Sequence, residues 1–179
     1  MRSNKRFAQY GVDQLKRLLD DGDNRRLIDQ PYNVRVDSSS DVKGDVDYLT
    51  VSLFGNPVMQ VVVESKTRHP ISVAVFSGFH YDSDGNPSNK TKELLNSLLD
   101  CLGDEEIIPQ NVRVRPIEEH GKVLVYLSQK DTDNRCILNK DYCNLIFIKP
   151  SKNVLDIERT DLSGSESTQN IRLMVVPEN

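Results

Sequence analysis

Apolar residues recur along this chain with two different periods, and the places where one period gives way to the other outline the fold. From Val12 to Asp21 the period is helical: Val12, Leu15, Leu18 and Leu19 share one stripe, and Lys16 and Arg17 fall off it. Gly22 is the natural stop, although Asp20, Asp21 and Asp23 crowd an end where the helix dipole disfavours negative charge. From Tyr32 the period becomes two. Tyr32 to Val36 alternates, Asp37 to Gly44 reads as a polar loop, and Val46 to Phe54 and Val58 to Val63 read as strands separated by Gly55-Asn56-Pro57. Leu49, Val51 and Leu53 then face one side, with Tyr48, Thr50 and Ser52 on the other. A further strand, Ile71 to Ser77, follows at once. These connections are too short for parallel crossovers, so the strands form an antiparallel meander.

The second half adds a stronger helix. Leu94, Leu95, Leu98, Leu99 and Leu102 make one apolar stripe that Gly103 ends, and Ser88 or Asn89 supplies the N-cap. Val112 to Arg115, Lys122 to Ser128, Asn144 to Ile148 and Ile171 to Val176 are short and strand-like, and Asp161 to Asn170 is a Ser/Thr/Gly-rich polar stretch. The expected fold is α+β: a mainly antiparallel sheet, a meander, with an N-terminal helix and a leucine-rich helix packed on the sheet. Three regions follow: an N-terminal helical segment (1–30), an α+β core domain (31–150), and a C-terminal extension with a polar loop and the last strand (151–179).

Composition narrows the class. A chain of 179 residues suits one domain, which buries about 70% of its unfolded surface and needs neither disulfide nor metal to fold. With 23 basic and 27 acidic residues the net charge is −4, too small for the whole molecule to capture nucleic acid by charge. Cys101, Cys136 and Cys143 are odd in number and lack paired spacing, which predicts a reduced, intracellular protein. The basic start, Met1 to Arg6, has no apolar core behind it, and no stretch approaches the apolar length of a membrane span, so no membrane is expected.

The segment from Phe76 to Asn96 carries the densest chemistry, at a corner between strand and helix. Asp82, Asp84, Asn86 and Glu93 imitate a calcium-loop register, but Pro87 holds the position that needs glycine, so a tight turn is the better reading. Cys136 and Cys143 are too far apart for a structural zinc pair, and Cys101 reads as a small buried hydrophobe. Ser77, His80 and Asp82 offer nucleophile, base and acid, but strand alternation points Ser77 and His80 apart. No phosphate-cradling glycine loop occurs. No catalytic, cofactor-binding or metal-binding residue is therefore assigned.

The basic residues fall into three groups: Lys66 and Arg68 with His69; Lys90 and Lys92; Arg113 and Arg115. The first two flank one strand-turn-helix region, so their convergence there would build a phosphate-holding patch. The favoured reading is a solvated face of scattered lysines, since specific nucleic-acid binders carry a stronger basic excess.

From Asn24 to Leu127 the chain resembles a small domain family common in bacteriophages and plasmids. The resemblance rests on Asn24-Arg25-Arg26-Leu27, on Val51-Ser52-Leu53-Phe54-Gly55-Asn56-Pro57-Val58, and on Phe76-Ser77-Gly78-Phe79 followed by Ser88-Asn89-Lys90-Thr91-Lys92-Glu93-Leu94-Leu95-Asn96. The insertion Tyr81 to Pro87 lengthens the corner, and Phe79 departs from the family's commoner glycine or tryptophan. The resemblance implies no enzymatic activity. It implies a mobile-element protein, working in the cytoplasm of a host bacterial cell, that blocks a host defence factor. An anti-CRISPR inhibitor of an RNA-guided nuclease, or of its guide complex, is the concrete version. Its expected partner-binding residues are Tyr81, Asp82, Asp84, Asn89, Lys90 and Lys92. The alternative is a nucleic-acid-binding accessory protein using Lys66, Arg68, Lys90, Lys92, Arg113 and Arg115. A homodimer through a strand edge is compatible with either.

Overall fold

The structure is a computed structural model that describes residues 4–21, 33–76, 81–140 and 145–160. Helix α1 runs Asn4–Asp21, starting well before Val12. Phe7, Ala8 and Gly11 extend the buried stripe of Leu15, Leu18 and Leu19 by two turns. Gly11 is there for closeness: a Cβ on it would stand 3.0 Å from Leu94 Cδ1 on the second helix. Gly22, the expected stop, lies outside the described residues.

Strands β1 (Val34–Ser40), β2 (Val46–Leu53), β3 (Asn56–Glu64) and β4 (Pro70–Phe76) form the expected meander, each antiparallel to the next. Strands β8 (Leu145–Lys149) and β9 (Asp156–Thr160) complete a six-stranded sheet in the order β1-β2-β3-β4-β8-β9. Strand β1 reaches Ser40, so Asp37 to Ser40 are ladder and not loop. Their own side chains promise no strand, but β2 offers partners as far as Ser40↔Asp47. The β2–β3 connection is likewise tighter than expected: Leu53 pairs Asn56, leaving Phe54 and Gly55 as a two-residue turn.

Leu49, Val51 and Leu53 face the core at 1% exposure or less, joined by Met59, Val61, Val73, Val75, Ile146 and Ile148. The opposite face carries Tyr48, Val62, Ala74 and Phe76, which are also buried. Helices α1 and α2 (Asn89–Asp104) pack on each other and on the core face. All five leucines of the α2 stripe are buried, and Ser88 caps it by accepting from Thr91 N–H at 3.3 Å. Gly103 sits inside the last turn; the reversal comes at Glu106, whose φ is 59°.

Strands β5 (Val112–Glu119), β6 (Lys122–Gln129) and β7 (Arg135–Ile137) form a second, three-stranded antiparallel sheet. It stays separate because α2 occupies the edge of β5. Asn96 Nδ2 donates to Val114 O at 3.1 Å, and Val114 N–H donates to Asn96 Oδ1 at 2.7 Å. One side chain thus satisfies the outward N–H and C=O of Val114, where a further strand would otherwise bond. Val112, Val114, Val125 and Leu127 still join the common core. Strands β7 and β9 escaped the sequence reading, and the expected strand Ile171 to Val176 lies outside the described residues. Among the described residues, no helix is long and apolar enough to cross a membrane.

Candidate functional site

The corner before α2 is a wired turn. Asp82 Oδ1 accepts from Asp84 N–H at 2.9 Å and from Asn86 N–H at 3.0 Å, and Gly85 N–H donates to Asp82 O at 3.1 Å. A carboxylate that accepts its own backbone two and four residues on builds a reversal, which is what this acidic pattern encodes. Asn86, 4% exposed, then ties the corner to the second sheet: its Nδ2 donates to Val123 O at 3.1 Å and its Oδ1 accepts from Asn139 Nδ2 at 3.3 Å. Lys140 N–H adds a bond to Gly85 O at 3.1 Å. Asp82 is therefore a structural residue first, with one carboxylate oxygen committed. Asp84 is exposed, and Tyr81 is half-buried and bridged to Pro87. Ser77, His80 and Cys143 lie outside the described residues.

Beside this corner, Asn89 and Lys90 are exposed on the first turn of α2, and Lys92 is half-buried. The Lys90 ammonium stands 5.4 Å from the centroid of the Phe54 ring. Sequence reading missed Phe54. It is the first residue of the β2–β3 turn, with φ 51° followed by φ 81° at Gly55, the left-handed pair of a type I′ turn. Such a position favours asparagine, aspartate or glycine. A bulky side chain there costs about 1 kcal/mol. Phe54 is nevertheless 44% exposed, so core packing does not account for it. The available signal was Phe-Gly standing where Asn-Gly is the usual hairpin dipeptide.

The basic groups do not converge. Lys66 and Arg68 lie in the β3–β4 turn, whereas Lys90 stands by the β2–β3 turn, at the opposite end of β3. Nine residues of β3 separate them, roughly 30 Å at about 3.3 Å per residue. Arg68 is also committed to the fold. Its Nη1 donates to Asp47 Oδ2 at 2.6 Å, its Nη2 to Leu18 O and its Nε to Leu19 O at 3.3 Å, which caps the C-terminal turn of α1. Asp47 also accepts from Ser40 Oγ at 2.7 Å and Ser65 Oγ at 2.8 Å. Burial pushes its carboxyl upward, but the hydrogen bonds from Ser40, Ser65 and Arg68 and the Arg68 charge outweigh this and hold it below its ordinary value. Arg113 and Arg115 do share the outer side of β5; Arg113 lies 3.9 Å from Asp100, and Arg115 is half-buried.

Other reactive groups are muted. Cys101 is 6% exposed, and burial, reinforced by Glu105, pushes its thiol up to about 11. Among the described residues no group of three His, Cys, Asp or Glu is placed to hold a metal ion. Comparison with known protein families, curated proteins and solved structures returns no match.

Proposed function

We propose that this chain is a binding module that engages a protein through Phe54, the wired corner Tyr81 to Pro87 and the first turn of α2. Its elements are pre-organised, so little ordering cost falls on binding. Phe54 is the observation that carries the reading. An exposed aromatic held in an unfavourable backbone conformation gives up folding energy, and such outliers persist where a surface is used. Lys90 over the ring adds an oriented charge beside an apolar anchor, a pairing common in protein contacts. The acidic share of the contact falls to Asp84, since Asp82 is engaged in the turn. In the mobile-element setting that the resemblance implies, the target is a host defence factor, with an RNA-guided nuclease as the concrete case.

A phosphate-tracking role is less well supported, because the basic groups stand apart and Arg68 is internally paired. Phe54→Asn tests the proposal: asparagine suits the turn, so the variant should unfold no earlier than the parent. In pull-downs from nuclease-treated host extract, and in cleavage assays with a purified RNA-guided nuclease, it should lose at least tenfold in potency. Undiminished binding by Phe54→Asn would remove this surface from the proposal. Partners that vanish on nuclease treatment, with affinity falling steeply in salt, would favour the nucleic-acid reading.

A further inference from the structure

Among the described residues the two sheets have four edge strands, β1, β9, β5 and β7, and they are not equivalent. On β5, Asn96 takes up the outward N–H and C=O of Val114, and Pro116 offers no N–H; β7 is only three residues long and β9 five. Strand β1 is the longest edge without such a block: seven residues, no proline or lysine, an uninterrupted register with β2, and no other strand neighbour among the described residues. Short length, proline, lysine and bulges normally keep an edge from pairing, and β1 relies on none of these.

Its backbone phase can be read from its ends. Phe54 N–H donates to Asn33 O, and Asp41 N–H donates to Val46 O. Residues alternate along an antiparallel ladder, so Arg35, Asp37 and Ser39 bond to β2, while Val34, Val36 and Ser38 direct their N–H and C=O outward. This outward row is self-complementary about Val36. A second β1 running antiparallel, with Val36 opposite its own copy, brings Val34 opposite Ser38 and Arg35 opposite Asp37. Each of the outward pairs Val34–Ser38, Val36–Val36 and Ser38–Val34 then exchanges two backbone hydrogen bonds. Arg35 and Asp37 occupy the closer, non-hydrogen-bonded positions, where Cα atoms are about 4.5 Å apart. Within one chain these two already pair at 2.7 Å, with both side chains about one-third exposed. Across the axis they would form a four-charge cluster of alternating sign.

We propose that β1 is a homodimer interface, joining two copies of the six-stranded sheet edge to edge about a two-fold axis through Val36. Valine on the axis continues the apolar core face across the seam, and the charge order selects this register over slipped ones. An interface of this length is small, so the dimer is concentration-dependent.

Sedimentation equilibrium and light scattering over a concentration series test it. The parent should pass from one to two chain masses as concentration rises. Arg35→Asp puts four carboxylates around the axis and should return the monomer. Arg35→Asp/Asp37→Arg restores alternate charges and should restore the dimer. Ser38→Pro removes two of the cross-axis hydrogen bonds, leaves every charge in place, and should also weaken the dimer at least tenfold; circular dichroism checks that each variant is folded. A parent that stays monomeric at the highest concentration overturns the proposal. So does a dimer that Arg35→Asp leaves intact, or one that the charge swap fails to restore. If Arg35→Asp unfolds the chain, a dimer that survives Ser38→Pro decides against it.

Discussion

Replacing Arg68 by alanine should be among the most damaging single changes at any polar residue of this protein. The guanidinium links three elements: α1 through the carbonyls of Leu18 and Leu19, β2 through Asp47, and the β3–β4 turn on which it sits. Its side chain is 15% exposed and that of Asp47 is 7% exposed, so water replaces little of what is lost. Removing one member of a buried pair costs about 3–5 kcal/mol. Ser40 and Ser65 continue to donate to Asp47, which places Arg68→Ala at the lower end, about 3 kcal/mol. For a chain of this size that lowers Tm by roughly 6–12 °C. Urea unfolding followed by circular dichroism at neutral pH gives the free energy, and a double-mutant cycle with Asp47→Ala gives the coupling. The double variant should be less destabilised than the two single losses summed, because it strands no charge. Arg68→Lys should fall between parent and alanine, since an ammonium cannot reach all three elements with one planar fork. A loss below about 1 kcal/mol, or strict additivity, would show that the pair acts as an ordinary surface bridge and would refute the reasoning.

Two further outcomes follow from the same contacts. Because the Asp47 carboxyl is held below its usual 3.8, its contribution is fully present above that value and is lost as pH falls through the folded pKa. The stability gap between parent and Asp47→Asn, measured by urea titration at stepped pH, should therefore be widest near neutrality and close in strong acid. Asn96→Ala should cost about 2 kcal/mol by denaturant unfolding, since it leaves the N–H and C=O of Val114 without partners. It should also open the β5 edge, which light scattering during refolding would register as aggregation.

Much of the architecture was legible because it is written in local periodicity. The five leucines of α2, the alternation of β2 and the length of the early connections each specify an element without reference to the rest. What escaped depends on distant partners. The helical stripe was legible only from Val12, and Gly11 just before it takes its meaning from the second helix, since it lets Leu94 approach. Ser38, Ser39 and Ser40 carry no strand signal of their own and are ordered by β2. Arg68 has the composition of a phosphate ligand, and its true partner, Asp47, is on another strand. The corner was legible as a turn because Asp-Gly and Asn-Pro act locally. Its neighbour Phe54 was missed: Phe-Gly in place of Asn-Gly was the one trace in the sequence, and its meaning lies in a backbone angle.

The pairing of β4 with β8 determines when the molecule can complete itself. Phe76 meets Leu145 across that ladder, a gap of 69 positions (145 − 76) bridged by α2 and the whole second sheet. During synthesis the early meander must therefore wait, its last strand unzipped on one side, until β8 has emerged. Closing so long a loop is an entropic cost met late, so the final commitment to the native state belongs to the arrival of β8 and β9.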